Sequence, residues 1–296
     1  MLFSVVIPIY NGAKTIRRCI ESAINQSYKD DYEIVVVENA CTDSTCDILS
    51  KINDKRLRVI HNDHTVSQFA NHNIGLNAAK GDYIVYLHSD DELTPIALSI
   101  FAEHIKNRQY PQRYMACGLS MFSDVHENIQ NAGLHSGPVP EFNTIFSGAS
   151  AMRIFTSGAL FQPTGTCYSR DALMEIGGFL GLDIACPEDW YLSAWAAYNY
   201  FEFEIIDRLL LKREFSSSWG NTYTAQEKCM RWKIVQDGFL AKLNEQQRSF
   251  FYLYYNSYKY PLWEIYFHPK KMLFRKVMQR PWGLTRWKNF INALHE

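Results

Sequence analysis

The amino-acid sequence predicts an α/β fold, in which a mostly parallel central sheet is flanked by helices and followed by a helical C-terminal extension. Three observations carry that expectation. Strand-like and helix-like patterns alternate strictly over the first 120 residues. The strand candidates are unbroken apolar runs, the pattern of strands buried on both faces. Polar pairs stand where three of those runs end, and ligands of open α/β sheets bind beyond the carboxyl ends of strands.

The elements follow in order. "FSVVIPIY" (3–10) is a strand ended by the turn pair Asn11-Gly12. The next segment places Ile16, Cys19, Ile20, Ala23 and Ile24 on one face, opposite Arg17, Arg18 and Glu21, as an amphipathic helix does. "YEIVVVEN" is a second buried strand, and "DSTCDILSKI" a helix with Ile48, Leu49 and Ile52 inward. "LRVIH" is a third strand; "VSQFANHNIGLNAA" is a helix that Gly81 closes. Tyr83 to Leu87 form a fourth strand, which stops on the adjacent carboxylates Asp90 and Asp91. A helix with Thr94 as N-cap and Pro95 at its first position follows, with Ile96, Leu98, Ile100, Phe101 and Ile105 as its apolar residues. Later, Cys186-Pro187 breaks the chain before "EDWYLSAWAAYNY", a helix whose first turn carries Glu188 and Asp189.

Composition bounds the function. With 296 residues, 47% hydrophobic and 21% charged, the chain supports one large domain or a domain with an appendage. A formal net charge of -1 gives no global electrostatic case for nucleic-acid binding. The 7 Cys residues include no C-x-x-C pair and match small buried hydrophobes of a reducing compartment. "MLFSVVIPIYNG" lacks a basic leader region, and no run of about 18 apolar residues occurs, so a cytoplasmic protein without a spanning helix is expected. There is no Walker lysine motif and no G-x-G-x-x-G, which argues against a P-loop NTPase or a dinucleotide fold.

The polar pairs Asn11-Gly12, Glu38-Asn39 and Asp90-Asp91 converge on one crevice if the strands are parallel. Paired carboxylates there suit a hard divalent cation, Mg²⁺ or Mn²⁺, whose other positions go to water and phosphate oxygens. The competing reading is that Asp90, Asp91 and Glu92 charge the N-terminus of the helix beginning at Thr94. Glu188 and Asp189 sit where a helix dipole favours ionised carboxylates, which fits either capping or a general base.

The stretch "SVVIPIYNGAKTIRRCIESAINQSYKDDYEIVVVENACTDST" resembles the opening of inverting family 2 glycosyltransferases of the GT-A fold. "NHNIGLNAAKGDYIVYLHSDDEL", "TGTCYSRDALMEIGGF" and "PEDWYLSAWAAYNY" are similar to later segments of that family, in family order over residues 3–215. The resemblance implies a catalytic domain over 1–218, with a nucleotide-sugar half to about 120 and an acceptor half from about 121, then the extension 219–296. It implies that Pro8, Tyr10, Asn11, Glu38, Asn39, His72 and Asp90 line the donor pocket. Asp90 and Asp91 would hold the Mn²⁺ or Mg²⁺ and the donor diphosphate. Asp189 would be the general base on the acceptor hydroxyl, with Glu188 beside it. The implied partners are a nucleotide-sugar, UDP favoured and dTDP second, and a glycan or lipid-linked acceptor of bacterial surface polysaccharide synthesis such as lipopolysaccharide.

The chain departs from the family pattern at four places. Asn39 stands where many relatives have aspartate, His88 replaces the first acid of a D-x-D-D run, His72 replaces a basic residue, and Phe215 occupies a position where relatives place a metal-binding His. His61 and His64 in "HNDH" give only weak support for a metal site. "SGPVPEFNTIFSGAS" (136–150) lacks periodicity and fits a loop that closes over substrate or an ordinary connection. The extension carries dense aromatics and then Lys270, Lys271, Arg275, Lys276, Arg280, Arg286 and Lys288, so 269–296 would either lie on an anionic membrane surface or pack on protein. Two other functions stay open. One is a nucleotidyltransferase, which "PIYNGAKTIRRC" disfavours for want of glycines; the other is a catalytically silent binding module, which the acids disfavour.

Overall fold

All seven residues of strand β1 (Phe3–Ile9) are buried, and their alternation builds a core on each side of the sheet. Val5, Ile7 and Ile9 join one hydrophobic cluster, and Val6 joins the other. The computed structural model describes residues 1–108, 111–122, 129–131, 141–156, 161–182, 188–214 and 225–254. β1 is flanked by β2 (Tyr32–Glu38) and β4 (Tyr83–Tyr86), both parallel to it, and β3 (Leu57–His61) extends the sheet beyond β2. The chain therefore runs outward from β1 to β3 and returns to the far side of β1 for β4. The carboxyl ends of β1 and β4 mark the switch point where such sheets bind ligands.

The helices cover both faces. α1 (Ile16–Ile24) and α4 (Ala97–Lys106) pack on the side of Val5 and Ile7, burying Ile16, Cys19, Ile20, Leu98 and Phe101. α2 (Thr45–Leu49) adds Leu49 there. α3 (Gln68–Ala78) lies on the opposite face with Phe69 and Leu76, and its N-cap Ser67 accepts a hydrogen bond from the Ala70 N–H.

Beyond β4 the sheet turns mixed. β9 (Thr166–Ser169) runs antiparallel between β4 and β6 (Tyr114–Phe122). The long β10 (Glu202–Arg213) pairs parallel with β6 and antiparallel with the short β5 (Glu92–Leu93) and β8 (Ile145–Phe146). β7 (Ile129–Asn131) pairs with β6. α5 (Gly148–Thr156), α6 (Arg170–Glu175) and α7 (Glu188–Tyr198) cover this half. Val235 and Phe239 of α8 (Ala225–Lys242) and Phe251 of α9 (Glu245–Tyr254) are buried in the same cluster as Trp190 and Tyr191 of α7. No described helix is long and apolar enough to cross a membrane.

Four expectations need correction. The helix after the acid pair starts at Ala97, not Thr94, because Thr94 is pinned to β10: its N–H donates to Leu210 O at 2.9 Å and its hydroxyl to Leu209 O at 3.0 Å. With no acid in its first turn, α4 is not what Asp90 and Asp91 serve. Ile96, expected inward, is exposed. Gly81 does not close α3, which ends at Ala78 with Ala79 extended. Its role is close approach, since a Cβ there would stand 2.6 Å from Ser4 N and 2.7 Å from Phe3 C. Part of the segment expected to be an aperiodic loop over 136–150 is β8 and the start of α5. Residues 136–140, Cys186-Pro187, Phe215 and 269–296 lie outside the described residues.

Gly81→Ala is expected to destabilise the protein by about 1–3 kcal/mol, because backbone rather than a pliable side-chain tip blocks the methyl. Gly238→Ala, on α8 with only Leu180 Cδ1 at 3.6 Å from the added Cβ, is expected to stabilise by about 0.4–1 kcal/mol. Urea unfolding of both variants checks the pair.

Candidate active site

The sharpest chemical feature lies just past β4. One ligand-capable atom from each of His88, Asp90 and Asp91 lies within 4.8 Å of the others. Asp91 is buried, 3% exposed. Its Oδ2 accepts from the Thr164 hydroxyl at 2.7 Å and its Oδ1 from the Glu214 backbone N–H at 3.2 Å. Thr164 also accepts from the His88 backbone N–H at 3.1 Å, so one hydroxyl ties the end of β4 to the entry of β9. Burial, then the neighbouring Asp90 charge, pushes the Asp91 carboxyl up to about 7, while Arg213, the Thr164 bond and Arg18 oppose the rise.

Arg18, from α1, brackets the same turn. Its Nη2 donates to the Asp90 backbone carbonyl at 3.0 Å and pairs with Glu214, and its Nε stands 3.8 Å from Glu92. The buried Cys19 thiol, 3.4 Å from the His88 carbonyl, is pushed well up by burial and then by Asp91 and Asp90. An acid pair held in this way fits a divalent cation by the chemistry of its donors.

The residues expected on the donor side sit around the ends of β1 and β2. Pro8 is buried within β1, and Tyr10 and Asn11 are exposed at its end. Asn11 adopts φ 51, and its Oδ1 accepts from the Thr42 N–H at 2.8 Å, joining the loops after β1 and β2. Glu38 is 3% exposed. Burial works against its charge, but the N–H of Cys41 and the ring of His61, whose Nδ1 is 3.0 Å away, outweigh it and hold the carboxyl below the usual range. Glu38, Cys46 and His61 form a second close group; His64 is not part of it.

Asn39 is buried and its amide is engaged inside the protein. Oδ1 accepts from Val66 N–H at 2.9 Å and from Asn62 Nδ2 at 3.0 Å, while Nδ2 donates to Val66 O at 2.9 Å. An aspartate here would set a carboxylate oxygen against that carbonyl, which gives the departure at this position a physical reason.

His72 is buried beneath the crevice, 1% exposed. Its Nδ1 lies 2.7 Å from Gln68 O and its Nε2 lies 3.3 Å from His88 Nε2. Burial first, and then the facing His88, depresses His72 to about 3; burial depresses His88 to about 4, with Asp90 opposing and Arg213 adding to the fall. Both rings are neutral near pH 7.

The second acid pair opens α7. Glu188 is fully buried, and its two oxygens accept from Gly181 N–H and Leu182 N–H, both at 2.8 Å. Burial raises its carboxyl, backbone donors oppose the rise, and Asp189 adds to it. Asp189 is partly exposed, with Oδ1 accepting from Trp190 N–H at 2.8 Å.

A short segment connects the two acid pairs. Phe161 N–H donates to Ser193 Oγ at 2.9 Å, and that hydroxyl donates to Asp189 O at 2.9 Å. Thr164, three residues on, is the residue that binds Asp91. Three residues span at most about 11 Å, so the first turn of α7 and the end of β4 flank one segment. Thr164, Arg18 and Glu214 escaped the sequence reading. Thr164 lies in a segment quoted for its resemblance, but only the approach of the turn before β9 to the end of β4 brings its hydroxyl to Asp91.

A parallel sheet with polar strand ends at its switch point, and a mixed half bringing a second acid-bearing helix beside them, is the GT-A type of nucleotide-sugar fold. The profile of "Glycosyl transferase family 2" matches residues 4–177, and the chain belongs to that family. Among curated relatives, a poly(ribitol-phosphate) beta-glucosyltransferase of Bacillus spizizenii is 37% identical over 113 residues, which are 37% of this chain and 18% of that protein. A UDP-Glc:alpha-D-GlcNAc-diphosphoundecaprenol beta-1,3-glucosyltransferase of Escherichia coli, WfaP, is 41% identical over 90 residues, 30% of this chain and 36% of that protein. The matched stretches thus span about a fifth and a third of those relatives. The crystal structure of S. aureus TarS 1-349 in complex with UDP-GlcNAc is similar with a TM-score of 0.67 at 18% identity, covering 98% of this chain and 79% of that one. At that identity the likeness establishes the fold.

The raised Asp91 pKa makes a pH prediction for protein freed of divalent ions. The folded state keeps the Asp91 proton up to about pH 7, whereas the unfolded chain releases it near its ordinary value of 3.8. The folded state therefore binds the extra proton between those values, and this contribution to stability is full below the lower value and lost as pH rises to the upper one. The depressed His72 and His88 act oppositely and are present in both proteins compared. Wild type minus Asp91→Asn unfolding free energy is expected to fall from pH 4 to pH 7, by at most about 1.4 kcal/mol per unit; parallel urea-derived profiles would contradict the assignment.

Proposed function

We propose that this chain is a metal-dependent inverting glycosyltransferase that moves a sugar from a nucleoside-diphosphate donor, UDP favoured, to a hydroxyl of a glycan or lipid-linked acceptor in bacterial surface polysaccharide synthesis. The observation carrying this reading is the tie between the two acid-bearing elements: Asp91 at the switch point and the first turn of α7 are held to opposite ends of the Phe161–Thr164 segment. The family membership, the names of the bacterial relatives and the UDP-GlcNAc bound by TarS support it.

In this reading Tyr10, Asn11, Glu38 and Asn39 form the nucleotide side of the crevice, with Pro8 beneath. Asp90 and Asp91 would hold Mn²⁺ or Mg²⁺. There the ion would supply charge neutralisation for the diphosphate leaving group, worth several kcal/mol. Asp189, partly exposed, takes the proton from the acceptor hydroxyl as that oxygen attacks the anomeric carbon opposite the departing diphosphate, so configuration inverts. Glu188 spends both oxygens on the backbone of the Gly181–Leu182 turn and acts by positioning Asp189. The basic, aromatic sequence of 269–296 supports delivery to an acceptor at an anionic membrane surface, with liposome flotation as its assay.

Asp189→Asn is expected to lower turnover about 10²- to 10⁴-fold with donor affinity intact. The assay is nucleoside diphosphate release across a panel of UDP- and dTDP-sugars, with the product anomer read by NMR. Full turnover in the variant would remove Asp189 from the mechanism. Pyrophosphate release would indicate nucleotidyl transfer instead. EDTA is expected to abolish transfer and Mn²⁺ or Mg²⁺ to restore it; transfer indifferent to both would remove the metal.

A further inference from the structure

The His72–His88 contact has no part in the chemistry assigned so far, and its hydrogen bonding has one consistent proton arrangement. A backbone carbonyl only accepts, so the His72 Nδ1 that faces Gln68 O at 2.7 Å carries that ring's proton. Neutral His72 then offers a lone pair at Nε2. His88 Nε2, 3.3 Å away, must therefore be the donor, which leaves the lone pair of His88 at Nδ1. His88 is also the residue that shares a cluster within 4.8 Å with Asp90 and Asp91.

We propose that His88 is the third protein ligand, through Nδ1, of the divalent cation held by Asp90 and Asp91, and that His72 is the positioning residue that fixes the ligating tautomer. The inference rests on the metal reading above and adds to it a ligand of a different chemical kind.

Several constraints favour this role. Histidines bound to metals generally donate their other ring N–H to a fixed acceptor, which sets tautomer and ring orientation. Here the acceptor is another ring, anchored by the helix α3 backbone. His72 is further held between Tyr86, tilted with ring centroids at 5.1 Å, and Phe179, edge-on at 5.3 Å. The ring plane of His88 stands at 88° to that of His72. The His88 backbone is fixed independently, by its N–H to Thr164 and its carbonyl to the Cys19 thiol. Nitrogen in the donor set shifts preference from Mg²⁺ toward transition ions such as Mn²⁺ and Co²⁺.

The test titrates wild type, His88→Gln, His88→Asp and His72→Phe with Mn²⁺ and with Mg²⁺ in the presence of UDP. Free Mn²⁺ is read by electron paramagnetic resonance and Mg²⁺ by competition; UDP affinity in EDTA and circular dichroism confirm that each variant is folded. His88→Gln and His72→Phe are each expected to weaken Mn²⁺ about 10- to 100-fold and Mg²⁺ by less. His88→Asp is expected to keep an ion but lose the Mn²⁺ preference. Long-range ¹⁵N–¹H spectra of metal-free protein are expected to show protons on His72 Nδ1 and His88 Nε2, and Zn²⁺ to shift His88 Nδ1. Unchanged Mn²⁺ and Mg²⁺ affinities in His88→Gln, or a proton on His88 Nδ1, would overturn the inference and leave the metal reading standing. Wild type that binds no divalent ion with UDP would overturn both.

Discussion

Asp91 is a carboxylate buried beside another carboxylate, and that constraint organises the active half of the molecule. Each of its oxygens has a donor inside the protein, Thr164 on one and the Glu214 N–H on the other. These bonds orient the group, while burial, and then the Asp90 charge, holds its proton against them. Satisfying Asp91 recruits pieces distant in sequence: Thr164 from the entry to β9 and Glu214 from the residue after β10. Arg18 of α1 then closes the ring by pairing with Glu214 and binding the Asp90 carbonyl. The long-range contacts of the site are thus the solvation shell of one buried acid.

The parallel half of the fold was legible because local patterns decide it. Buried parallel strands need apolar runs, and amphipathic helices need apolar residues at helical spacing, so "EIVVV" and Ile16, Cys19, Ile20 and Ala23 state their environment without reference to distant residues. Where the reading failed, a long-range contact overrode a local signal. Thr94-Pro95 has the chemistry of a helix start, yet β10 takes both hydrogen-bonding groups of Thr94 and the helix begins at Ala97. Gly81 has the chemistry of a helix stop, yet its lack of a side chain serves the approach of Ser4. β9 separates β4 from β6 in space, and "TCYS" carries nothing that announces an antiparallel insertion.

The candidate site divides the same way. Asp90 and Asp91 stand out at a strand end, and Glu188 and Asp189 at a helix start, because each pair is contiguous. What separates the members of a pair does not show in the chain. Glu188 and Asp189 differ only in that one faces the Gly181–Leu182 turn and is saturated by its amides, while the other keeps solvent access. His72 and His88 are individually unremarkable residues on a helix and after a strand. Their relation depends on α3, packed on β1 and β2, bringing His72 to Tyr86 of β4, whose hydroxyl donates to His72 O at 3.2 Å.

The Phe161–Thr164 segment carries a further consequence, because it fixes distance as well as proximity. Pro163 has a restricted φ and no N–H to exchange for water. Gly165 follows at φ +69, where a Cβ would stand 2.8 Å from Leu211 Cδ2, and its N–H bonds Tyr86 O at 2.8 Å, continuing the β4–β9 ladder. A segment gripped by α7 at one end and β4 at the other has little freedom to stretch. The proposed in-line displacement would make the position of the attacking group matter to about 1 Å, a tolerance on which about 10²-fold in rate can hang. In the proposed mechanism this strap of four residues joins the acid pair after β4 to the helix that carries Asp189, and both of its ends are hydroxyl hydrogen bonds rather than mobile ion pairs.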